Sequence, residues 1–255
     1  MWRIFLARAR QGHRTIGFPD AAPALPDRFR GRPALDPSRC AEGCRACVDA
    51  CPTGAISEPL AVDLGKCLFC TDCTSACPTG AIAYTNDYRL SARSRDDLVV
   101  RAEIATRQRA LDESTRRMFG RSLKLRVVSA GGCNGCESDV NVLGTIVFDL
   151  GRFGIQYVAS PRHADGLLIT GPVSENMKLA LQKTYDAVPA PKIVIAVGAC
   201  AISGGPYIGH PEVAGGADQV VPVDLYIAGC PPHPITILDG LLAMLDRLPA
   251  DRKVP

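Results

Sequence analysis

The stretch CLFCTDCTSACP, residues 67–78, places four cysteines at short intervals and a proline directly after the last. A second run lies upstream, with cysteines at positions 40, 44, 47 and 51, and it is also followed by proline. The heptapeptide ACPTGAI occurs unchanged in both runs, at residues 50–56 and 76–82. Residues 40–84 therefore form an internal repeat, in which only Cys40 departs from the common offset by one residue.

The spacing of the second run resembles the cluster-binding run of bacterial ferredoxins, whose fourth cysteine ligates the other 4Fe–4S cluster. The expected ligand sets are therefore Cys40, Cys44, Cys47 and Cys77 for one cluster, and Cys51, Cys67, Cys70 and Cys73 for the other. Zinc is the alternative, but zinc prefers two separated cysteine pairs. Disulfides need an oxidising compartment, and no export signal is visible. The sequence predicts a small α+β dicluster ferredoxin domain over residues 40–84.

The remaining four cysteines are far apart, but each lies just beyond an apolar run. The runs are LRVVSAGGC (125–133, with Cys136 shortly after), KIVIAVGAC (192–200) and DLYIAGC (224–230). Strand carboxyl ends share one edge of a parallel sheet, so we expect Cys133, Cys136, Cys200 and Cys230 to converge there. Such a set suits a third 4Fe–4S cluster or a zinc ion, and free buried thiols are the simplest alternative. Two neighbouring clusters favour a third, because it would extend an electron path.

Residues 123–255 alternate between strand-like and helix-like segments, which predicts a parallel α/β sheet. The predicted strands are Leu125–Ser129, Ile155–Val158, Gly166–Thr170, Lys192–Val197 and Leu225–Ala228. The predicted helices cover residues 137–150, 175–186 and 234–248.

The two cysteine-free segments are basic. Residues 1–39 carry eight arginines and three aspartates, and we expect a basic N-terminal arm lying over the rest, with a frayed terminus as the alternative. Its start is amphipathic, around Trp2, Ile4, Phe5 and Leu6. In residues 85–122, Ser94 and Asp97 are spaced like a capping box. Apolar residues then recur at near-helical intervals, namely Leu98, Ala102, Ile104, Ala105, Leu111 and Met118. We therefore predict one exposed, basic helical linker over residues 85–122.

Composition excludes several classes of protein. Hydrophobic residues make up 47% and charged residues 22%, so the bulk of the chain is not disordered. Aromatic residues are only 5% and no recognition motif is visible, so a nucleic-acid partner is not expected. No apolar run is long enough to span a membrane. The sequence also contains no nucleotide-binding loop motif. The cysteines therefore remain as the residues expected to provide the chemistry, as ligands of a metal group.

The α/β region also resembles a known family. Residues 124–248 are similar to the small, proximal-cluster subunit of group 4 energy-converting nickel–iron hydrogenases such as formate hydrogenlyase, a relative of the complex I 20-kDa subunit. The matching stretches are GGCNGCE (131–137), FGIQYVASPRHADGLLITGPV (153–173), VGACAISGG (197–205) and VPVDLYIAGCPPHP (221–234). The resemblance implies a flavodoxin-like fold, with the proximal cluster on Cys133, Cys136, Cys200 and Cys230.

Residues 11–84 resemble the two-cluster ferredoxin subunit of the same complexes. GHRTIGFP (12–19) and LPDRFRGRPAL (25–35) match its N-terminal arm, which packs along the complex near the membrane. Together the resemblances imply a fused electron-transfer subunit with three 4Fe–4S clusters, which relays electrons to or from a nickel–iron site in a partner large subunit. Other implied partners are membrane-arm subunits and a soluble electron donor or ferredoxin. The expected location is cytoplasmic and peripheral, on the inner face of the cell membrane.

Two alternatives remain open. The complex I subunit has adjacent cysteines where this chain has two residues between Cys133 and Cys136, which favours the hydrogenase branch. The alternatives are the equivalent subunit of a complex-I-like NADH/quinone or nickel-free oxidoreductase, and a zinc-stabilised scaffold. Glu137 matches an acidic position of the family, where it is a candidate for proton transfer. It equally suits a structural role, as an acid at a helix N-terminus.

Overall fold

The computed structural model describes residues 2–102 and 110–249. The strands in these ranges are β1 Pro33–Leu35, β2 Ile56–Ser57, β3 Ala61–Asp63, β4 Ile82–Tyr84, β5 Ser91–Ala92, β6 Val99–Arg101, β7 Leu123–Ser129, β8 Ile155–Tyr157, β9 Gly166–Thr170, β10 Ile193–Val197 and β11 Leu225–Ile227. The α-helices are α1 Trp2–Gln11, α2 Ala46–Asp49, α3 Asp72–Ala76, α4 Glu113–Phe119, α5 Gly135–Val142, α6 Glu175–Ala187, α7 Ala199–Ser203 and α8 Pro234–Met244. None of the helices in the described residues is long and apolar enough to cross a membrane.

The largest sheet has six strands in the order β5-β11-β10-β9-β7-β8. Every pairing in it is parallel except that of β5 with β11. Every residue of β9 and β10 is buried, as expected where helices cover both faces of a parallel sheet. Counted along the chain, the five parallel strands have the order 2-1-3-4-5, which is that of flavodoxin-like sheets. The predicted α/β architecture with a mostly parallel sheet is confirmed.

The helices predicted over residues 175–186 and 234–248 are present as α6 and α8. The predicted helix over 137–150 is shorter, because α5 ends at Val142. Gly144 follows the C-cap residue Leu143, and the hydroxyl of Thr145 donates to the carbonyl of Val142 at 2.8 Å. A glycine and a side chain that competes for a helix carbonyl both disfavour continuation.

The segment 85–122 differs from the single exposed helix that its periodicity predicts. Ser91–Ala92 is the antiparallel edge strand of the large sheet, and Val99–Arg101 pairs with β3. Leu98 and Val100 are only 1% and 4% exposed, since they belong to the apolar core rather than to a solvated helix. Tertiary packing therefore overrides the local helical pattern.

The predicted capping box at Ser94 also differs from the structure. The short 3-10 helix begins after Arg95 and has no side-chain cap. A cap occurs instead at Asp112, whose carboxylate accepts the Thr115 N–H at 3.0 Å and starts α4. Of the predicted helical positions, Ile104 and Ala105 lie outside the described residues.

The N-terminal arm packs on both parts of the chain after α1. The Ile16 N–H donates to the Val147 carbonyl at 2.9 Å, and Phe18 is buried. Arg30 reaches the ferredoxin-like region, where its guanidinium donates to the Phe69 carbonyl at 2.7 Å. Strand β1 then pairs with β4. The residues of α1 itself are all exposed.

An apolar core joins the cysteine-repeat region to the α/β sheet. One cluster of buried side chains includes Val62 and Leu64 from the repeat together with Ile169, Val194 and Ile202 from the sheet layer. At the same contact, Ser203 donates its hydroxyl hydrogen to the Gly65 carbonyl at 2.8 Å. The repeat region is therefore docked on the sheet by buried surface as well as by hydrogen bonds.

A bidentate ion pair stabilises the contact between the repeat region and the sheet. Both terminal nitrogens of Arg95 donate to the two carboxylate oxygens of Asp63, each at 2.7 Å. The Gly65 N–H adds a third bond to Asp63 at 2.9 Å. Both side chains of the pair are largely shielded, with 26% and 18% of their surface exposed.

Replacing Asp63 with alanine should lower the free energy of unfolding by about 2 kcal/mol, because it leaves a shielded guanidinium without its carboxylate. Anaerobic urea denaturation followed by circular dichroism measures the change. The matched control is Glu113→Ala, which breaks the exposed pair with Arg117 and should cost under about 0.5 kcal/mol. Equal losses in the two variants would contradict the structural role of the Asp63–Arg95 pair.

Candidate functional site

Four cysteines of the repeat region line one small cavity, namely Cys51, Cys67, Cys70 and Cys73. Charge interactions link Cys67 to Cys73 and Cys51, and Cys73 to Cys70 and Cys51. Cys51 comes from the first run and the other three from the second. The structure thus brings together the crossed-over set that the ferredoxin spacing predicts, although it carries no bound group to test ligation.

Hydrogen-bond donors point at the sulfur atoms of this set. The Ala55 N–H lies 3.2 Å from Cys51 Sγ, and the Phe69 N–H lies 3.3 Å from Cys67 Sγ. Burial raises the pKa of Cys67 to about 11, so the free thiol would hold its proton at neutral pH. A bound iron ion supplies the positive charge that stabilises the thiolate, and the N–H groups suit that charged form.

The cysteines just described, Cys51, Cys67, Cys70 and Cys73, are called the second set below, and Cys40, Cys44, Cys47 and Cys77 are called the first set. The first set is more open to solvent. Charge interactions link Cys47 to Cys77 and to Cys40, so Cys77 has again crossed over from the other run. Slight burial raises the pKa of Cys77, but the Ala81 N–H and the Thr79 hydroxyl outweigh it and hold the pKa at about 7. This sulfur is therefore readily available as a thiolate ligand.

The additional residue between Cys40 and Cys44 is taken up in a turn. The Cys44 N–H donates to the Ala41 carbonyl at 3.1 Å, and Gly43 has a φ of +71°. Glycine adopts this left-handed conformation without steric cost. The irregular spacing of the first run therefore leaves Cys40 and Cys44 within the same loop.

The third set forms at the carboxyl edge of the large sheet. Cys133 follows β7, Cys136 lies in the first turn of α5, Cys200 lies in α7 after β10, and Cys230 follows β11. Charge interactions link Cys136 to Cys200, Cys230 and Cys133. Burial raises the pKa of Cys136, and it raises the pKa of Cys200 to about 11. The convergence expected from strand order is present.

Two glycines let the backbone approach the sulfur atoms of the third set. Gly198 has a φ of +90°, and a Cβ there would lie 2.5 Å from Cys136 Sγ. Gly205 has a φ of +57°, and its Cβ would lie 2.8 Å from Cys200 Sγ. Any side chain at these two glycines would occupy the space beside the sulfur atoms. Four sulfur donors beside this open space suit a bulky iron–sulfur cluster.

The second and third sets are neighbours. Cys70 and Cys230 both line a larger cavity of about 310 Å³. The N-terminal arm closes part of this cavity with Arg28, Phe29 and Arg30. Cysteines from the repeat region and from the sheet edge thus meet at one junction.

All twelve cysteines are free of disulfide bonds. Within residues 2–102 and 110–249, no group of three or more His, Cys, Asp or Glu side chains has the arrangement of a single-ion metal site.

Glu137 is buried beside the third set. Its Oε1 accepts the hydroxyl hydrogens of Ser129 at 2.6 Å and of Thr170 at 2.8 Å. Burial raises the pKa of Glu137, but these two hydrogen bonds outweigh it and leave the pKa below its usual value. The geometry supports the structural role at the start of α5, and proton transfer by Glu137 stays a prediction.

Tyr84 is a further residue of this site, which no sequence motif marks, and its hydroxyl lies 3.3 Å from Cys67 Sγ and 3.9 Å from Cys73 Sγ. Burial raises the pKa of Tyr84, and the charge of Cys67 raises it further, so the hydroxyl keeps its proton. A signal exists in the repeat, because position 84 corresponds to position 58, where the first copy has glutamate.

Two family models match the chain. Residues 133–244 match the 20-kDa subunit of NADH ubiquinone oxidoreductase. Residues 60–83 match the 4Fe–4S binding domain. The first match contains the four cysteines of the third set, and the second contains four cysteines of the repeat.

Known proteins give the same result. The chain is 41% identical over 132 residues to a probable membrane-bound hydrogenase subunit of Pyrococcus furiosus, covering 52% of this chain and 79% of that protein. It is 43% identical over 139 residues to formate hydrogenlyase subunit 7 of Escherichia coli, covering 54% of each chain. It is 42% identical over 114 residues to an NADH-quinone oxidoreductase subunit of Clostridium beijerinckii, covering 44% of this chain and 68% of that protein.

The region that matches the 20-kDa subunit holds the strands β8 to β11 and all four cysteines of the third set, so the similarity covers most of the sheet together with the site. The chain therefore belongs to the family of the 20-kDa subunit of NADH ubiquinone oxidoreductase, and it carries a 4Fe–4S binding domain ahead of that region.

Proposed function

We propose that this chain is the iron–sulfur electron-transfer subunit of a membrane-associated nickel–iron hydrogenase complex. The observation that carries the proposal is the cavity that Cys70 and Cys230 line together, where cysteines of the repeat meet cysteines of the sheet edge. An electron relay needs neighbouring redox groups, and this junction provides them. Electrons would pass through the repeat and the sheet edge, to or from a nickel–iron site in a partner large subunit.

The proposed cofactors are three 4Fe–4S clusters, each of which accepts and passes on one electron. The ligand sets are Cys40, Cys44, Cys47 and Cys77; Cys51, Cys67, Cys70 and Cys73; and Cys133, Cys136, Cys200 and Cys230. The corresponding organisation is a basic arm over residues 1–39, a dicluster ferredoxin domain over 40–84, a connecting segment over 85–122 that contributes β5 and β6 to the sheets, and a proximal-cluster domain over 123–255.

The protein's own groups have two tasks in this relay. Backbone N–H groups such as those of Ala55 and Ala81 donate to cysteine sulfur atoms, each at 3.2 Å, and offset the negative charge of the thiolates. The shared core around Leu64 and Ile202 holds the repeat against the sheet and keeps water out of the contact. Both the potentials and the spacing of the clusters depend on such groups.

The hydrogenase assignment rests on the two residues between Cys133 and Cys136, and on the hydrogenase names of two relatives. The second candidate is the equivalent subunit of a complex-I-like or nickel-free oxidoreductase, which the relative from Clostridium beijerinckii favours. In either case the chain alone is not catalytic. All twelve cysteines are assigned to clusters, so no thiolate remains for nickel.

Partner subunits attach the chain to the inner face of the cell membrane in this proposal. The exposed side chains of Trp2, Ile4 and Phe5 on α1, interspersed with arginines, are suited to the membrane-proximal side of the complex. A soluble electron donor or ferredoxin would deliver electrons to the open first set, and no nucleic acid takes part.

The anaerobically purified chain should contain about twelve iron atoms and about twelve acid-labile sulfides, because each of three cubanes holds four of both. Colorimetric iron and sulfide assays measure these contents, and electron paramagnetic resonance (EPR) of the reduced sample identifies the cluster type. A colourless preparation that contains zinc and no sulfide would rule the electron relay out.

Gly198→Ala should remove the third cluster alone, so that iron content falls by about four atoms per chain. The added methyl group would lie 2.5 Å from Cys136 Sγ, which displaces a ligand. Gly215→Ala is the matched control, because Gly215 has a similar φ of +83° with nothing within 4 Å. Full iron content in the Gly198 variant would show that the third set does not need this open space.

Hydrogen evolution should require the partner large subunit. The purified chain, reduced with dithionite, should release no hydrogen, whereas the co-purified complex should release it and contain nickel. Gas chromatography and metal analysis of the same sample provide both measurements. A nickel-free complex that reduces quinone would support the second candidate, and hydrogen release by the chain alone would overturn the proposal.

A further inference from the structure

The two copies of the internal repeat give their last cysteines equivalent surroundings. Cys51 Sγ and Cys77 Sγ each accept a backbone N–H four residues later at 3.2 Å. The threonines two residues later are also equivalent, with hydroxyl-to-sulfur distances of 3.9 Å for Thr53 and 3.7 Å for Thr79. These hydrogen bonds therefore do not distinguish the two clusters, and a difference in hydrogen bonding to sulfur must come from another group.

Tyr84 is a group that breaks this symmetry. Its hydroxyl lies 3.3 Å from Cys67 Sγ and 3.9 Å from Cys73 Sγ, both in the second set. The equivalent position in the first copy is Glu58, which is ion-paired with Arg45 at the surface. An ionised carboxylate has no hydrogen to donate, so the repeat supplies this donor to one set only.

The fold fixes the Tyr84 hydroxyl in place. Tyr84 is the last residue of β4 and pairs with Pro33 of β1. Its ring packs against Phe69, with centroids 5.8 Å apart and planes tilted by 48°. The side chain also lines the cavity formed by the four cysteines of the second set.

We propose that the Tyr84 hydroxyl donates a hydrogen bond to the Cys67 thiolate and thereby raises the reduction potential of the second cluster. The inference rests on the proposed function, in which Cys51, Cys67, Cys70 and Cys73 hold a cluster. Reduction adds one electron, received from the neighbouring cluster, and hydrogen bonds to sulfur strengthen with the added negative charge. Tyr84 keeps its proton, and no covalent bond is made or broken.

This increase in potential has a place in the relay. The second set is the one that meets the third set, because Cys70 and Cys230 line the same cavity. Raising the potential of the second cluster therefore favours an electron at the position beside the sheet edge. Tyr84 thus favours the second cluster as the site at which the electron resides.

The test is an EPR-monitored redox titration of the complex carrying Tyr84→Phe. One of the three midpoint potentials should fall while the other two stay unchanged. We expect the equilibrium constant for reducing that cluster to fall about tenfold, which equals about 59 mV for a one-electron couple. Tyr157→Phe is the matched control, because the buried Tyr157 hydroxyl has no hydrogen-bond partner among the described residues and lies in β8.

A second variant covers the case in which Tyr84→Phe fails to assemble. Replacing Tyr84 with 3-fluorotyrosine keeps the hydroxyl and makes it a stronger donor, so the same midpoint potential should rise. Unchanged potentials in the Tyr84 variants, or an equal shift in the Tyr157 control, would overturn the inference and leave the proposed function intact. A complex that binds no clusters would overturn both.

Discussion

The structure depends on bringing cysteine side chains from distant parts of the chain close together. In the sheet this is a consequence of strand direction, because β7, β10 and β11 are parallel and end at the same edge. In the repeat it is a consequence of crossing over, since Cys51 and Cys77 each join the other copy's cysteines. Core packing, glycine positions and hydrogen bonds to sulfur all serve this convergence.

Spacing and periodicity were sufficient to predict the cysteine groupings and the parallel strands. Cysteine positions are informative because a cluster constrains its ligands to a narrow set of separations. The strands were predictable because β9 and β10 are uninterrupted apolar runs. The additional residue after Cys40 is taken up by a turn at Gly43, and ligation by Cys40 stays a prediction.

The segment after the repeat and the tyrosine beside the second set could not be predicted in the same way. Leu98 and Val100 fit a helical pattern locally, and only the partner strand β3 shows that they belong to a sheet. Tyr84 is a single residue at the end of a short strand, and its contact with Cys67 depends on the placement of β1 and Phe69. Such pairings link residues that are remote in sequence, so local sequence patterns do not predict them.

The segment between the two cluster-bearing regions contributes Ser91–Ala92 as an edge strand of the large sheet, so it is built into the fold and is not a tether. A tethered carrier must diffuse to its acceptor, and its transfer rate then follows viscosity and linker length. A carrier whose chain contributes a strand to its acceptor's sheet stays at a fixed distance from the acceptor, so the tunnelling distance is constant. Transfer within this chain would therefore be insensitive to solvent viscosity, and it would continue in a frozen matrix.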